Sequence, residues 1–508
     1  MNKLIKSLGI FIIIALLSKV LGFFRETVTA FYFGTSIYLD AFLFASIIPV
    51  LLFDGIGAAV STCVVPILSK NNIENKPVFL RTLNILLFGF LVILSLISIL
   101  SITKILSIIP IGLGEESIQL VIKYSYFLIP SIILTGSTYI FMAYLLYKKI
   151  YSAANIMGIV NNLSIILSFF LFYKFLKHEI LVYSWVLGSI MQLIVLYIFV
   201  RKYGYKPNKI FKLYPEHKGF LKLSVPVFFS SSVIQINMIV DRTLASTLPS
   251  GNISALNYAG KLGTLIIGTI VMALSSVVFP NLSKYWGENK QGKFYQLTES
   301  TIKTIILVMV PLVGFLFISS YIIVKIVFER GAFNQSDTLL TGYAFSFYCF
   351  AFLGLSIREI LNKALFAMGD TKGPFWGTTV LVTFNIALGL IMVNLLGIAG
   401  LTLATAIANY LSVLTLIIWF LRKYSINPLA TSKFLLLKTG VSTTLVSLIF
   451  LQVGIFKTTN NSILINLLIL VSGFIIYFIF VFLLNILLKE KTTINFLNYF
   501  LKKGEING

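Results

Sequence analysis

The chain has 508 residues, of which 58% are hydrophobic and only 11% charged, and its mean hydropathy is +0.97. A soluble protein of this length needs far more charge to cover its surface, so a string of globular domains is excluded and the bilayer sets the architecture. The net charge of +23 would suit nucleic acid only if it gathered on a soluble face, and its placement is different.

In chain order, the N-terminus first imitates a secretory leader, with Lys3 and Lys6 before the apolar run Leu8 to Leu17. No small-x-small cleavage site follows, and the sequence runs through Lys19 and Arg25 into further apolar segments, so it reads as an uncleaved first helix. Spans are predicted at 8–30, 40–68, 84–109, 121–146, 153–173, 180–200, 220–245, 254–282, 301–328, 338–367, 374–396, 398–420, 434–455 and 461–488. Each is long enough to cross a hydrocarbon core of about 30 Å. Fourteen spans put both termini on one side. Of the 40 Lys and Arg, 28 fall in the tails, the even-numbered loops and their flanks. The positive-inside rule therefore places both termini in the cytoplasm, and nucleic-acid binding is not needed to explain the charge. The excess also attracts anionic membrane lipids.

Two stretches repeat each other. Val64-Val65-Pro66-Ile67-Leu68-Ser69-Lys70 closes the second span and Val278-Phe279-Pro280-Asn281-Leu282-Ser283-Lys284 closes the eighth. Six spans intervene, an even number, so the copies share one orientation and the repeat is parallel, about an axis along the membrane normal. The expected fold is all-α and polytopic, with two six-helix lobes (1–200 and 223–423) joined by a basic connector (201–222). Two further helices and a tail fill 424–508. The connector carries Lys206, Lys209, Lys212 and Lys218 and suits either an amphipathic piece on the membrane surface or a solvated linker. Cys63 and Cys349 lie in apolar sequence without metal-ligand spacing and read as buried thiols.

Ionisable residues inside spans are costly and mark function by default. The first span holds Lys19, Arg25 and Glu26; Lys19 and Glu26 are seven apart, nearly on one helix face. Asp40 opens the second span and Asp54 lies within it. Asp241 and Arg242 end the seventh, Lys261 sits in the eighth, and Arg358, Glu359 and Lys363 lie in the tenth. Arg242 and Lys363 suit internal pairing or snorkelling to an interface. Lys19, Arg25 and Lys261 fall in the first helices of both lobes, where a cavity between lobes would collect them into a phosphate site. Enzymatic readings fare poorly: the two histidines, His178 and His217, fall in predicted loops, the external carboxylates Glu115, Glu116, Glu179, Glu329 and Asp337 are dispersed, and no Gly-x-x-x-x-Gly-Lys phosphate loop occurs.

The stretch Ser18 to Glu26, followed by Tyr38-Leu39-Asp40-Ala41-Phe42, resembles the start of the MurJ (MviN) lipid II flippases of the multidrug/oligosaccharidyl-lipid/polysaccharide exporter superfamily. Further matches are Val240 to Ser246, Ser254 to Ala259, Phe328-Glu329-Arg330-Gly331-Ala332-Phe333, Ala367 to Lys372 and Gly397 to Thr405, in order over roughly residues 8 to 420. The resemblance implies fourteen helices and alternating access for lipid II, or a related polyprenyl-diphosphate glycolipid, in the bacterial cytoplasmic membrane, with no enzymatic activity. It also implies membrane lipids and cell-wall synthesis machinery as partners.

Residue by residue, the resemblance puts Lys19, Arg25 and Lys261 where the family carries cavity arginines. Glu26 and Asp40 fall at its acidic positions and, with Asp54, Arg358 and Glu359, are expected as gating or charge partners. Asp241, Asn385 and Thr405 match three positions of a sodium site, so sodium or the membrane potential is the expected driving force, with no other cofactor. Departures are visible too. Two of the three cations are Lys, Leu51-Leu52-Phe53-Asp54-Gly55 replaces a basic pair, and Gly389 replaces the second sodium-site carboxylate. Competing readings are a flippase for a capsule, teichoic-type or O-antigen precursor, a drug/cation antiporter with a carboxylate-dominated cavity, and a non-transporting scaffold.

Reporter fusions test the topology. Fusions at Lys76, Lys212 and Lys293 are expected to read cytoplasmic, and fusions at Glu115 and Lys457 external; an external reading at Lys212 breaks the fourteen-span arrangement.

Overall fold

The computed structural model describes residues 2–69, 75–108, 112–150, 152–206, 210–456, 462–490 and 492–494. Lys70 of the repeated motif, Lys209 of the connector and the external Lys457 lie outside the described residues. The described chain is helical and packs as two compact units, residues 1–254 with 331–333, and residues 255–330 with 334–508.

The first unit contains α1 (Asn2–Phe33), α2 (Ile37–Ala45), α3 (Ile47–Ser69), α4 (Lys76–Ile108), α5 (Glu115–Leu128), α6 (Ile132–Tyr147), α7 (Ala153–Leu176), α8 (Ile180–Lys202) and α9 (Pro215–Ala245). The second contains α10 (Asn252–Gly287, whose residues 252–254 belong to the first unit), α11 (Gln291–Phe328), α12 (Gln335–Tyr348), α13 (Ala351–Ala367), α14 (Lys372–Leu396), α15 (Ile398–Tyr424), α16 (Lys433–Val453) and α17 (Ile463–Leu487). Several predicted spans are broken rather than continuous. The second splits at Ser46 into α2 and α3. The fourth passes through a 3-10 turn at Ile129–Ser131 that contains Pro130. The tenth bends by 43° between α12 and α13. Proline removes an N–H from the helical ladder, and such breaks leave polar backbone that the protein must satisfy internally.

Among the described residues nine stretches are long and apolar enough to cross a membrane, or up to eleven when each bent pair is one span. One of the nine, 155–202, comprises both α7 and α8. Fourteen is reached only by separating those two and adding α1 and α9, which are long enough at 32 and 31 residues but stand outside that set. Large apolar side chains face outward, as Leu100 (78% exposed), Leu464 (70%) and Leu487 (74%) do. In water such a surface would aggregate; in hydrocarbon it is the expected exterior.

Without a hydrophobic drive between helices, close packing depends on small residues. In the first unit a Cβ at Gly57 would lie 2.3 Å from the Tyr139 ring and one at Gly55 2.6 Å from Phe228, so α3 seats tightly on α6 and α9. In the second, a Cβ at Gly314 would meet Thr443 Cγ2 and the Tyr477 hydroxyl, both at 2.4 Å. That close approach docks α16 and α17 on α11. Ser442 donates to Asn485 Oδ1 (2.8 Å) and Ser447 pairs with the Tyr477 hydroxyl (2.8 Å) along the same seam. Cys63 and Cys349 are both buried free thiols.

Most described residues of the connector are exposed, but it is anchored at two points. Tyr205 inserts against Phe141 and Tyr144 at ring distances of 5.7 and 5.4 Å, and the Lys212 N–H donates to Thr82 Oγ1 (3.2 Å). His217, expected in a loop, lies buried in the first turn of α9. Its Nδ1 accepts the Tyr214 N–H (3.0 Å), which leaves Nε2 protonated and able to donate to Phe79 O (3.2 Å). These ties, with α9 packed along α3, bring α9 into the first packing unit, whereas the sequence repeat divides at the connector.

The α14–α15 hairpin turns on Gly397, at φ +58°, and crosses so closely that a Cβ at Gly400 would sit 2.0 Å from the Met392 carbonyl oxygen. Backbone cannot yield as a side chain can, so Gly400→Val is expected to lower stability by about 1–3 kcal/mol or more. Gly440→Ala, whose Cβ meets nothing within 4 Å, is expected to be neutral or to gain up to about 1 kcal/mol from helix propensity. Thermal melting of the detergent-purified protein distinguishes the two; equal melting points contradict the close crossing.

Candidate functional site

On α1 the charged residues do not share one environment. Lys19 is exposed, whereas Glu26 is buried and Arg25 is partly so. Arg25 Nη2 lies 2.5 Å from Glu26 Oε1. Glu26 therefore pairs with its chain neighbour, and its charge also acts on Arg242 of α9. Arg242 donates from Nη1 to Leu43 O (2.5 Å) and Ser46 Oγ (3.2 Å). Leu43 is one of the last residues of α2, where the break at Ser46 leaves carbonyls without helical partners. The guanidinium bonds the Leu43 carbonyl, which also accepts the Ser46 hydroxyl (2.8 Å), and meets the negative end of the α2 dipole. Arg242 is thus the internal pin of the broken second span and does not snorkel to an interface.

Asp40 holds the other end of α2. Its side chain is buried, and its oxygens accept the Gly251 N–H (2.6 Å), the Ser254 N–H (2.7 Å) and the Ser254 hydroxyl. Those donors belong to the first turn of α10 and the residue before it. A carboxylate bound there uses orphan N–H groups and the positive end of the helix dipole together. Gly251 is required for the approach, because it has φ +95° and a Cβ would lie 2.8 Å from Thr35 O. Beside this clamp Ala332 N–H donates to Phe31 O (2.7 Å), and a Cβ at Gly331 would lie 2.4 Å from the same oxygen. The end of α1, the first turn of α2, and the segments at 251–254 and 331–333 are thereby tied together in the first unit.

Deeper in the first unit, Gln235 Nε2 of α9 donates to Asp54 Oδ2 of α3 at 2.6 Å. In the second unit, Lys261 is partly buried on α10. On α13, Glu359 pairs with Lys363 (3.5 Å), and the Arg358 Nε is buried without a hydrogen-bond partner among the described residues. Of the three expected cation ligands, Asp241 of the first unit has Asn237 Nδ2 3.3 Å from Oδ2. Asn385 and Gly389 are buried on α14, and the Thr405 hydroxyl of α15 donates to Leu401 O (3.1 Å), which leaves its lone pairs free to accept. One carboxylate and two neutral oxygens make a thin donor set. The two histidines have structural partners: His217 as above, and His178 stacked on Tyr38 at 4.4 Å with Nδ1 3.1 Å from the Tyr124 hydroxyl.

One strong carboxylate site escapes sequence reasoning. Asp370, between α13 and α14, accepts the Lys372 and Gly373 N–H groups on Oδ1 (3.0 and 3.3 Å), and Trp419, Lys423 and Tyr424 on Oδ2 (2.9, 2.7 and 2.9 Å). Burial opposes its charge, but these hydrogen bonds, led by Lys423, outweigh that and hold the carboxyl well below the usual range. The Gly369-Asp370-Thr371 turn before an apolar run is the cap signal that marks it.

The profile of the family described as "Lipid II flippase MurJ" matches residues 29–472. The chain is 25% identical over 423 residues to a probable lipid II flippase MurJ of Rhizobium tropici, covering 80% of this chain and 79% of that protein. It is 26% identical over 462 residues to the one of Borreliella burgdorferi, covering 89% and 87%. A solved lipid II flippase MurJ in an inward closed conformation superposes with TM-score 0.76 at 28% identity, over 92% of this chain and 97% of that one. A multidrug transporter of the MATE family, solved inward-facing, shares the fold alone, with TM-score 0.67 at 16% identity over 82% and 99%.

The Asp40 clamp makes a labelling prediction. Asn252→Cys places a thiol at a buried position beside the clamp. Adding Asp40→Ala removes three charge-assisted hydrogen bonds, each worth about 1.5–3 kcal/mol. Labelling by an impermeant maleimide from outside is expected to rise by about ten-fold or more. Ser254→Ala, which spares two of the bonds, is expected to raise it only a few-fold, and unchanged labelling with Asp40→Ala contradicts the clamp.

Proposed function

This chain belongs to the lipid II flippase MurJ family, and we propose that it carries lipid II from the cytoplasmic to the outer leaflet of the bacterial cytoplasmic membrane by alternating access. The observation that carries this reading is the family match across residues 29–472, which takes in Asp40, Asp54, Asp241, Lys261 and Arg358 but begins after Lys19, Arg25 and Glu26. In the proposed cycle Lys19, Arg25 and Lys261 draw the diphosphate into a cavity between two lobes, 1–200 and 223–423. Each cation there meets an anion in a medium that screens poorly, so the attraction is far stronger than in water. The Glu26 carboxylate beside Arg25 keeps the empty cavity from accumulating uncompensated positive charge. The head group then leaves through the face closed by Asp40, which must release the first turn of α10. The polyprenyl tail stays in hydrocarbon throughout, so only the polar head crosses.

Depletion of the protein in its own cell tests the substrate. Lipid II is expected to build up on the cytoplasmic leaflet; build-up of a different polyprenyl-diphosphate glycan with lipid II unchanged overturns the assignment. In the same strain, complementation tests the cations. Arg25→Ala is expected to be the most harmful neutral change, because it removes the sole guanidinium of the three and strands Glu26. Lys19→Arg and Lys261→Arg are expected to be tolerated, and Lys261→Glu to abolish growth at normal protein level. Normal growth with Arg25→Ala and Lys261→Glu combined removes the diphosphate role.

The driving force we propose is the membrane potential, worth about 2.3 kcal/mol per elementary charge per 100 mV. Sodium at Asp241, Asn385 and Thr405 would be held by a single carboxylate. Exchanging sodium for potassium is expected to change flipping by less than about two-fold while collapse of the potential slows it strongly. A steep sodium dependence that Asp241→Asn abolishes contradicts this.

A further inference from the structure

The α14–α15 hairpin carries Lys372 and Arg422 at the end where Asp370 gathers Lys423. There a cavity of about 480 Å³ is lined by Trp376, Thr415, Ile418, Trp419, Arg422 and Lys423. Both helices are long, apolar spans, and Phe375, Leu421 and Ile418 beside the cavity are exposed. Whatever enters from that side enters from lipid.

The charges in the cavity are not equivalent. Lys423 is already paired with Asp370 at 2.7 Å and lies over the rings of Trp419 and Tyr424, 5.8 and 5.4 Å from their centroids. The N–H groups that open α14 are likewise taken by Asp370 Oδ1. Arg422, by contrast, is exposed and has no ion-pair partner among the described residues. The Trp419 Nε1–H is fixed on Asp370 (2.9 Å), so that indole is a rigid wall, while Trp376, also in the lining, is half exposed. The cavity therefore offers one guanidinium without an ion-pair partner among the described residues and two indoles in its lining, the residue type enriched where head groups meet hydrocarbon.

We propose that this cavity binds the head-group phosphate of an anionic glycerophospholipid from the adjoining leaflet. Arg422 supplies two parallel N–H donors to the phosphodiester. Trp376 and Trp419 flank the glycerol, and the acyl chains lie along Ile418 and Leu421. A single free cation matches the single charge of a phosphodiester better than the greater charge of a diphosphate. This proposal stands independently of the flipping reaction.

The four tryptophans of the chain make the test direct. With Trp185→Phe and Trp286→Phe, the full-length protein keeps only the two indoles of the cavity. It is reconstituted in phosphatidylcholine vesicles containing rising fractions of brominated phosphatidylglycerol or brominated phosphatidylcholine, and tryptophan quenching is read. Half-quenching is expected at a mole fraction about five-fold lower for phosphatidylglycerol, the preference one well-placed arginine gives at a membrane surface. Arg422→Gln is expected to erase that difference and Arg422→Lys to keep part of it. Arg201→Gln, on α8, is expected to leave it intact, which separates a site from the general basic charge. Equal quenching by the two lipids overturns the proposal. So does relief of quenching by millimolar inorganic phosphate, which would mark a free-phosphate site, or by polyprenyl diphosphate at the same mole fraction, which would mark a substrate site.

Discussion

Hydrocarbon gives a charge or an unpaired peptide group nothing to bond to, and the design of this protein turns on how such groups find partners inside it. Asp40 is the sharpest case. Its carboxylate would be costly alone, and the first turn of α10 would be left with orphan N–H groups; joined, each removes the other's cost. Arg242 does the reverse for the Leu43 carbonyl at the broken end of α2. One short helix is thus held at both ends by ions of opposite sign, each matched to a helix terminus.

The same device recurs in the second unit. Asp370 caps α14 and gathers Trp419, Lys423 and Tyr424 from the end of α15, while Asn334 caps α12 and accepts the Ser336 and Asp337 N–H groups. Fixed pairs of this kind make stiff joints. The cations that the proposed cycle offers to a mobile ligand differ in setting: Lys19 is exposed, and Lys261 and Arg25 are partly buried, Arg25 paired with Glu26.

Much of this was legible in the residues. Apolar runs fixed the all-helical membrane class, and the ionisable residues flagged within them include Glu26, Asp40, Asp54 and Arg242, each of which has a specific partner in the structure. Periodicity could not reveal the breaks at Ser46 and Ile129–Ser131, because the sequence stays apolar through them and only a tertiary partner makes a break tolerable. Nor could it assign Arg242, whose acceptor is a backbone carbonyl 199 residues away in the chain; a main-chain oxygen leaves no signature. Asp370 is hidden for a different reason, since a residue in a short turn between spans has the pattern of solvated loop, and its five donors come together only in the fold.

Transport itself is the claim everything else serves, and purified protein in vesicles measures it most directly. Lipid II is placed in one leaflet, and its appearance in the other is followed by an impermeant reagent. The account predicts translocation dependent on the protein, faster with a membrane potential, and lost with Arg25→Ala and Lys261→Glu combined. Vesicles that move lipid II no faster than protein-free ones, or equally well with the doubly substituted protein, would contradict it.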